Sequence, residues 1–105
     1  MEENKGLRRF KREALDVPVE VIWKTRSGED QYAKARALDV SESGMRLEMP
    51  VPLDERIYVT IRAEGLGLHG RASVRSCSKQ SAKKFWIGLE FSGGLKWRPK
   101  TPRTD

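Results

Sequence analysis

Between Val17 and Phe91 apolar and polar residues alternate in short runs, and this period of two does most to limit what the chain can become. Val17, Val19, Val21 and Trp23 fall on one face of an extended segment. Gln31 to Val40 is a weaker, partly polar run carrying Tyr32, Ala33, Ala35, Ala37 and Leu38. Met45, Leu47 and Met49 alternate with Arg46 and Glu48, and Ile57, Val59 and Ile61 alternate with Tyr58, Thr60 and Arg62. Ala72 and Val74 lie between Arg71, Ser73 and Arg75. Phe85, Ile87, Leu89 and Phe91 alternate with Trp86, Gly88 and Glu90. Each run offers one apolar face, so all of them can share one enclosed core.

Turn chemistry separates the runs. Ser27-Gly28-Glu29 is a hairpin signal, and Ser41-Glu42-Ser43-Gly44 is a tight turn. Pro50 and Pro52 interrupt pairing because proline has no N–H for the ladder. Gly65 to Gly70 reads as a glycine-rich loop and Ser76 to Lys84 as a polar one. Six strands with no helical stretch between them predict an all-β antiparallel barrel or sandwich. Closure into a barrel would remove the edges that an open sheet must protect.

The chain has 105 residues, room for one small domain. Its net charge of +6 sits at the ends. Residues 1–12 carry Lys5, Arg8, Arg9, Lys11 and Arg12 against Glu2 and Glu3. Residues 96–105 carry Lys96, Arg98, Lys100 and Arg103 against Asp105, while the body between the ends is neutral. The expected organisation is therefore a flexible basic arm (1–12), a barrel (13–95) and a short, irregular, disordered basic tail (96–105). Two basic ends suit an anionic partner, and solvated, solubilising tails are the other reading of the same charges. No apolar run approaches the ~20 residues of a membrane span, and the N-terminus has no signal-peptide core. With the lone Cys77, which has no internal disulfide partner, this predicts a cytoplasmic protein that does not engage membranes.

Catalysis has little to stand on. Gly65-Leu-Gly-Leu-His-Gly70 matches the dinucleotide pattern G-x-G-x-x-G, but a strand follows it where the motif needs a helix N-terminus to hold pyrophosphate. It reads as a hairpin loop. His69 is the single histidine, expected to be an exposed loop residue, and Cys77 is expected at a strand end. No second His or Cys is spaced to make a base–nucleophile pair or a metal site. The chain is expected to be neither an enzyme nor a cofactor protein.

Two short motifs remain. Arg8-Arg9-Phe10-Lys11-Arg12 contains R-x-x-x-R, and Asp39-Val-Ser41-Glu-Ser-Gly44 reads D-x-S-x-x-G. A guanidinium fork can grip a phosphate or bond guanine O6 and N7. A carboxylate can accept from guanine N1–H and the 2-amino group. Serine and glycine allow close approach of backbone to phosphate or ribose. Together the motifs suit a guanine nucleotide with several negative charges.

R-x-x-x-R ahead of the first strand, D-x-S-x-x-G after the second and the closing Trp86-Ile-Gly-Leu-Glu-Phe91 resemble the PilZ domain over roughly residues 7–92. The resemblance implies a six-stranded antiparallel barrel and a receptor for the bacterial second messenger cyclic di-GMP. Arg8 and Arg12 would hold phosphate and guanine, Asp39 would read guanine, and Ser41 and Gly44 would line the ligand. Arg9 and Trp86 are further ligand residues on the same grounds, Trp86 by stacking from the outward face of its strand. An ordinary cross-strand aromatic is the competing reading of Trp86.

The family's helix after the barrel has little scope here, since Ser92-Gly-Gly and the prolines intervene, although Leu95 and Trp97 can cap the barrel end. With no effector domain, the arm would order around the ligand, with Phe10 as its apolar peg, and pass the signal to a downstream protein of motility, exopolysaccharide or biofilm machinery. Leu7, where an arginine could clamp a second ligand, favours one ligand per chain. A small basic barrel binding single-stranded nucleic acid, and a degenerate PilZ adaptor that binds only protein, are the alternatives.

Overall fold

Each alternating run becomes a strand, and the strands close on themselves. In a computed structural model, which describes residues 13–98, the strands are β1 (Glu13–Lys24), β2 (Asp30–Ser41), β3 (Gly44–Met49), β4 (Tyr58–Ala63), β5 (Leu68–Ser81) and β6 (Lys84–Phe91). All neighbours are antiparallel, and the order around the closed barrel is β1-β2-β3-β6-β5-β4. A short 3-10 turn, Glu64–Leu66, joins β4 to β5. The all-β, six-stranded antiparallel barrel expected from the sequence is the fold.

The inward residues are those of the alternation. Val19 and Val21, Met45, Leu47 and Met49, Val59 and Ile61, and Ile87 are buried. Ala35, Ala37, Ala63 and Ala72 are also buried. A narrow barrel needs such small residues opposite large ones to fill its interior without overpacking. Leu53, from the proline-broken segment between β3 and β4, adds to the same core.

Four register shifts depart from simple alternation, one of them at the hairpin end of β5 between Lys79–Phe85 and Ser81–Lys84. Between the pairs Ala37–Leu47 and Asp39–Arg46, β2 advances two residues while β3 advances one, so Leu38 is an extra residue. Between Ala14–Asp39 and Val17–Ala37, β1 advances three while β2 advances two. Between Val74–Leu89 and Ser76–Gly88, β5 carries Arg75 as the extra residue. Such bulges bend a strand and re-aim the side chains beyond them.

Two segments read as loops are partly strand. β5 runs on through Ser76–Ser81 and pairs with β6 as far as Ser81–Lys84, so the polar stretch is a hairpin arm exposed on most of its surface. Its polarity reflects solvent on both faces rather than lack of pairing. His69 and Cys77 accordingly lie within β5, His69 exposed and Cys77 half-buried opposite Ile87.

The chain after β6 returns to the barrel. Leu95 and Trp97 pack against the core, and the Trp97 N–H donates to the Glu42 carbonyl at 3.1 Å. The Arg98 guanidinium lies 3.4 Å from a Glu42 carboxylate oxygen. Residues 96–98 of the expected tail thus meet the β2–β3 turn, and residues 99–105 lie outside the described chain.

Candidate functional site

Strict alternation from Ala35 and Ala37 would put Asp39 inside the barrel, where a carboxylate costs several kcal/mol or more without full pairing. The extra Leu38 shifts the phase. Val40 takes the inward position and is fully buried, while Asp39 turns outward with its side chain 17% exposed.

The two-residue turn Glu42-Ser43 then fixes what faces Asp39. Ser41 pairs with Gly44, Val40 with Met45, and Asp39 with Arg46. Arg46 Nε lies 3.7 Å from Asp39 Oδ2. On its other side Arg46 pairs with Gly88 of β6, which presents no side chain, and its guanidinium lies diagonally over the Trp86 ring, 5.6 Å from the centroid. Trp86 faces outward, as the alternation predicts, but is only half-exposed. Its Nε1 is buried and has no hydrogen-bond partner among the described residues. Carboxylate, guanidinium and indole therefore form one row across the outer face of β2, β3 and β6.

Ser41 and Gly44 shape this corner from beneath. Ser41 is the one buried polar residue of the described chain, at 6% exposure, and its hydroxyl donates to the Gly44 carbonyl at 3.4 Å. A Cβ on Gly44 would collide with the carbonyl oxygen of Leu89 on β6. Glycine is required there by the close approach of two backbones, with no positive φ involved. The motif Asp39-x-Ser41-x-x-Gly44 thus has a structural meaning in this barrel, namely bulge, turn and strand contact.

Of the expected ligand residues, Asp39, Ser41 and Gly44 share the corner and Trp86 lies beside it. Arg8, Arg9 and Arg12 lie outside the described residues. Arg46 was not among the expected ligand residues. Its position could have been found, because a two-residue turn at 42–43 places residue 46 opposite residue 39 by counting alone. Among the described residues no group of three or more His, Cys, Asp or Glu could hold a metal, and no helix is long and apolar enough to cross a membrane.

The chain is similar in structure to MrkH of K. pneumonia in a structure described as a MrkH–c-di-GMP complex, with a TM-score of 0.58 and 17% identity. The match covers 83% of this chain and 45% of MrkH, so the chain spans less than half of that protein. At this identity the likeness concerns the fold. Comparison with curated proteins yields no match. The PilZ domain family, described as such, matches residues 6–101, which takes in both sequence motifs and all six strands. The chain belongs to the PilZ domain family.

Proposed function

We propose that this chain is a receptor for cyclic di-GMP, binding it between the Arg8–Arg12 segment and the Asp39–Gly44 corner. The observation that carries the reading is the outward carboxylate of Asp39, set by a bulge beside Arg46 and Trp86, at the place where β1 begins. Glu13 pairs with Val40 and Ala14 with Asp39. Arg12 is one peptide bond from Glu13, so the basic segment joins the barrel next to the carboxylate. A guanine needs an acceptor for N1–H and the 2-amino group, which Asp39 supplies, and donors for O6, N7 and phosphate, which the arginines supply. The likeness to MrkH, whose structure was described with c-di-GMP, supports the choice of ligand.

The signal would leave through a partner protein, by ordering of the arm on the barrel. Charge-assisted bonds worth about 1.5–3 kcal/mol each offset the ordering of a few residues. Arg9 is a further phosphate or guanine contact in this reading, and Leu7 leaves the site with one ligand per chain.

Calorimetric titration with cyclic di-GMP, with GTP and with a short single-stranded DNA tests the reading. Cyclic di-GMP should bind, GTP should compete poorly, and DNA should bind weakly with a steep salt dependence. Asp39→Ala and Arg12→Ala should each weaken cyclic di-GMP by roughly ten- to a hundredfold, the loss of one charge-assisted contact. Full affinity in both variants, with native circular dichroism, would remove the site. Tight, salt-resistant DNA binding without cyclic di-GMP binding would replace the receptor with a nucleic-acid barrel.

A further inference from the structure

A guanidinium and the Watson–Crick edge of guanine are chemically alike. Each is a flat group that presents adjacent N–H donors to a carboxylate and a face to an aromatic ring. At the β2–β3–β6 face Arg46 occupies both of the partners that such a group would use. Its Nε is 3.7 Å from Asp39 Oδ2, and its guanidinium lies 5.6 Å from the Trp86 centroid.

We infer that Arg46 is a built-in stand-in for guanine, a plug that holds the base-reading position closed until ligand displaces it. The inference rests on the cyclic di-GMP reading of the same corner.

Three features show that the plug is held loosely. The Asp39–Arg46 separation is that of an ion pair and too long for a hydrogen bond. The Arg46 side chain is 46% exposed, so the pair is screened by water. The Trp86 Nε1 is buried, and neither Arg46 nor any other described residue gives it a hydrogen-bond partner. Arg46 is thus held by contacts weak enough for a ligand to exchange. Gly88, opposite Arg46, adds no side chain between Arg46 and Trp86, and the place a Cβ would take there is filled by the Ser76 hydroxyl. Displaced, Arg46 remains a cation beside a ligand bearing two phosphates.

The plug also bears on selectivity. A ligand must offer Asp39 a donor edge at least as good as that of arginine, and adenine, with an unprotonated N1, does not. Arg46 therefore raises the threshold for every nucleotide and is passed most readily by guanine.

Arg46→Lys is the informative variant. It keeps the positive charge near the phosphates and removes the planar fork. The full 105-residue chain and its Arg46→Lys form are titrated calorimetrically with cyclic di-GMP and with cyclic di-AMP. The indole N–H resonance of Trp86 is followed in both proteins without ligand. Loss of the planar fork, with its stacking on Trp86 and its two-donor edge toward Asp39, should tighten cyclic di-GMP by about three- to tenfold, and narrow the preference over cyclic di-AMP. The Trp86 resonance should move in the free variant. Unchanged or weaker cyclic di-GMP binding by Arg46→Lys, beside a wild type that binds, overturns the plug and leaves the receptor reading standing. An unmoved Trp86 resonance does the same. If neither protein binds cyclic di-GMP, the receptor reading falls, and the plug falls with it.

Discussion

The barrel carries two guanidinium–aromatic pairs on its outer surface, and they are not equivalent. Arg46 lies over Trp86 at 5.6 Å, and Arg71 lies over Tyr58 at 5.1 Å. The second is the closer pair, yet it is only a surface feature. Tyr58 is 55% exposed, and among the described residues Arg71 has no carboxylate partner. Its surroundings on β4 and β5 follow plain alternation, with Tyr58 opposite Ser73 and Thr60 opposite Arg71. The Arg46–Trp86 pair has a carboxylate on its far side, a buried indole nitrogen, and a bulge and a tight turn that put these groups in register. Stacking a cation on a ring takes only two long side chains. Setting a carboxylate in line with them takes a change of strand phase, and that is what separates the proposed site from a decorated sheet.

The largest test of the contrast lies in the glycines beneath the two pairs. A methyl on Gly44 meets the Leu89 carbonyl oxygen, part of a paired strand that cannot move alone. Gly44→Ala should destabilise by about 3 kcal/mol or more, lowering Tm by over ~10 °C. A methyl on Gly70, next to Arg71, meets the Leu95 side chain at 3.0–3.1 Å, which can turn aside. Gly70→Ala should stay within about 1 kcal/mol by the same thermal melt. Equal losses would show that the corner is no more tightly built than the opposite face.

Ligand affinity sharpens the same contrast. Trp86→Ala should weaken cyclic di-GMP by the value of one stacked base, roughly 1–3 kcal/mol. Tyr58→Ala should leave the titration unchanged. A reversed result would move the ligand to the β4–β5 face. The smallest effect is expected for Arg71→Ala, with stability within about 0.5 kcal/mol of the parent in urea unfolding, since exposed pairs contribute little.

Much of this is legible in the sequence alone. The six runs, the turn at 42–43 and the outward face of Trp86 follow from period-two patterning and turn chemistry. Asp39 was recognised by its motif, but its outward direction was not derivable from alternation, because the extra Leu38 lies in a run that reads equally well without a bulge. A trace remains in the sequence: apolar Leu38 and Val40 flank Asp39, so the apolar phase changes at that point. The extension of β5 through Ser81 was hidden because an exposed hairpin arm has no apolar face to advertise it. The return of Trp97 to Glu42 depends on a contact between residues 55 apart, which no local pattern encodes.

The closing seam of the barrel has a dynamic consequence. β1 is bonded to β2 along nearly its whole length, from Glu13–Val40 to Lys24–Asp30, whereas its bonding to β4 is confined to Glu20–Arg62, Val21–Ile61 and Ile22–Thr60. A cylinder opens where it is joined by the fewest rungs. Amide exchange with deuterated water should therefore begin at this seam, while the β2–β3–β6 wall keeps its protons longest. Opening of this seam should leave undisturbed the wall that carries Asp39, Arg46 and Trp86. β1 runs from its start beside Asp39 to that seam at Glu20–Ile22, so tension applied to the start of the strand should reach the seam as a change in how tightly the cylinder is shut.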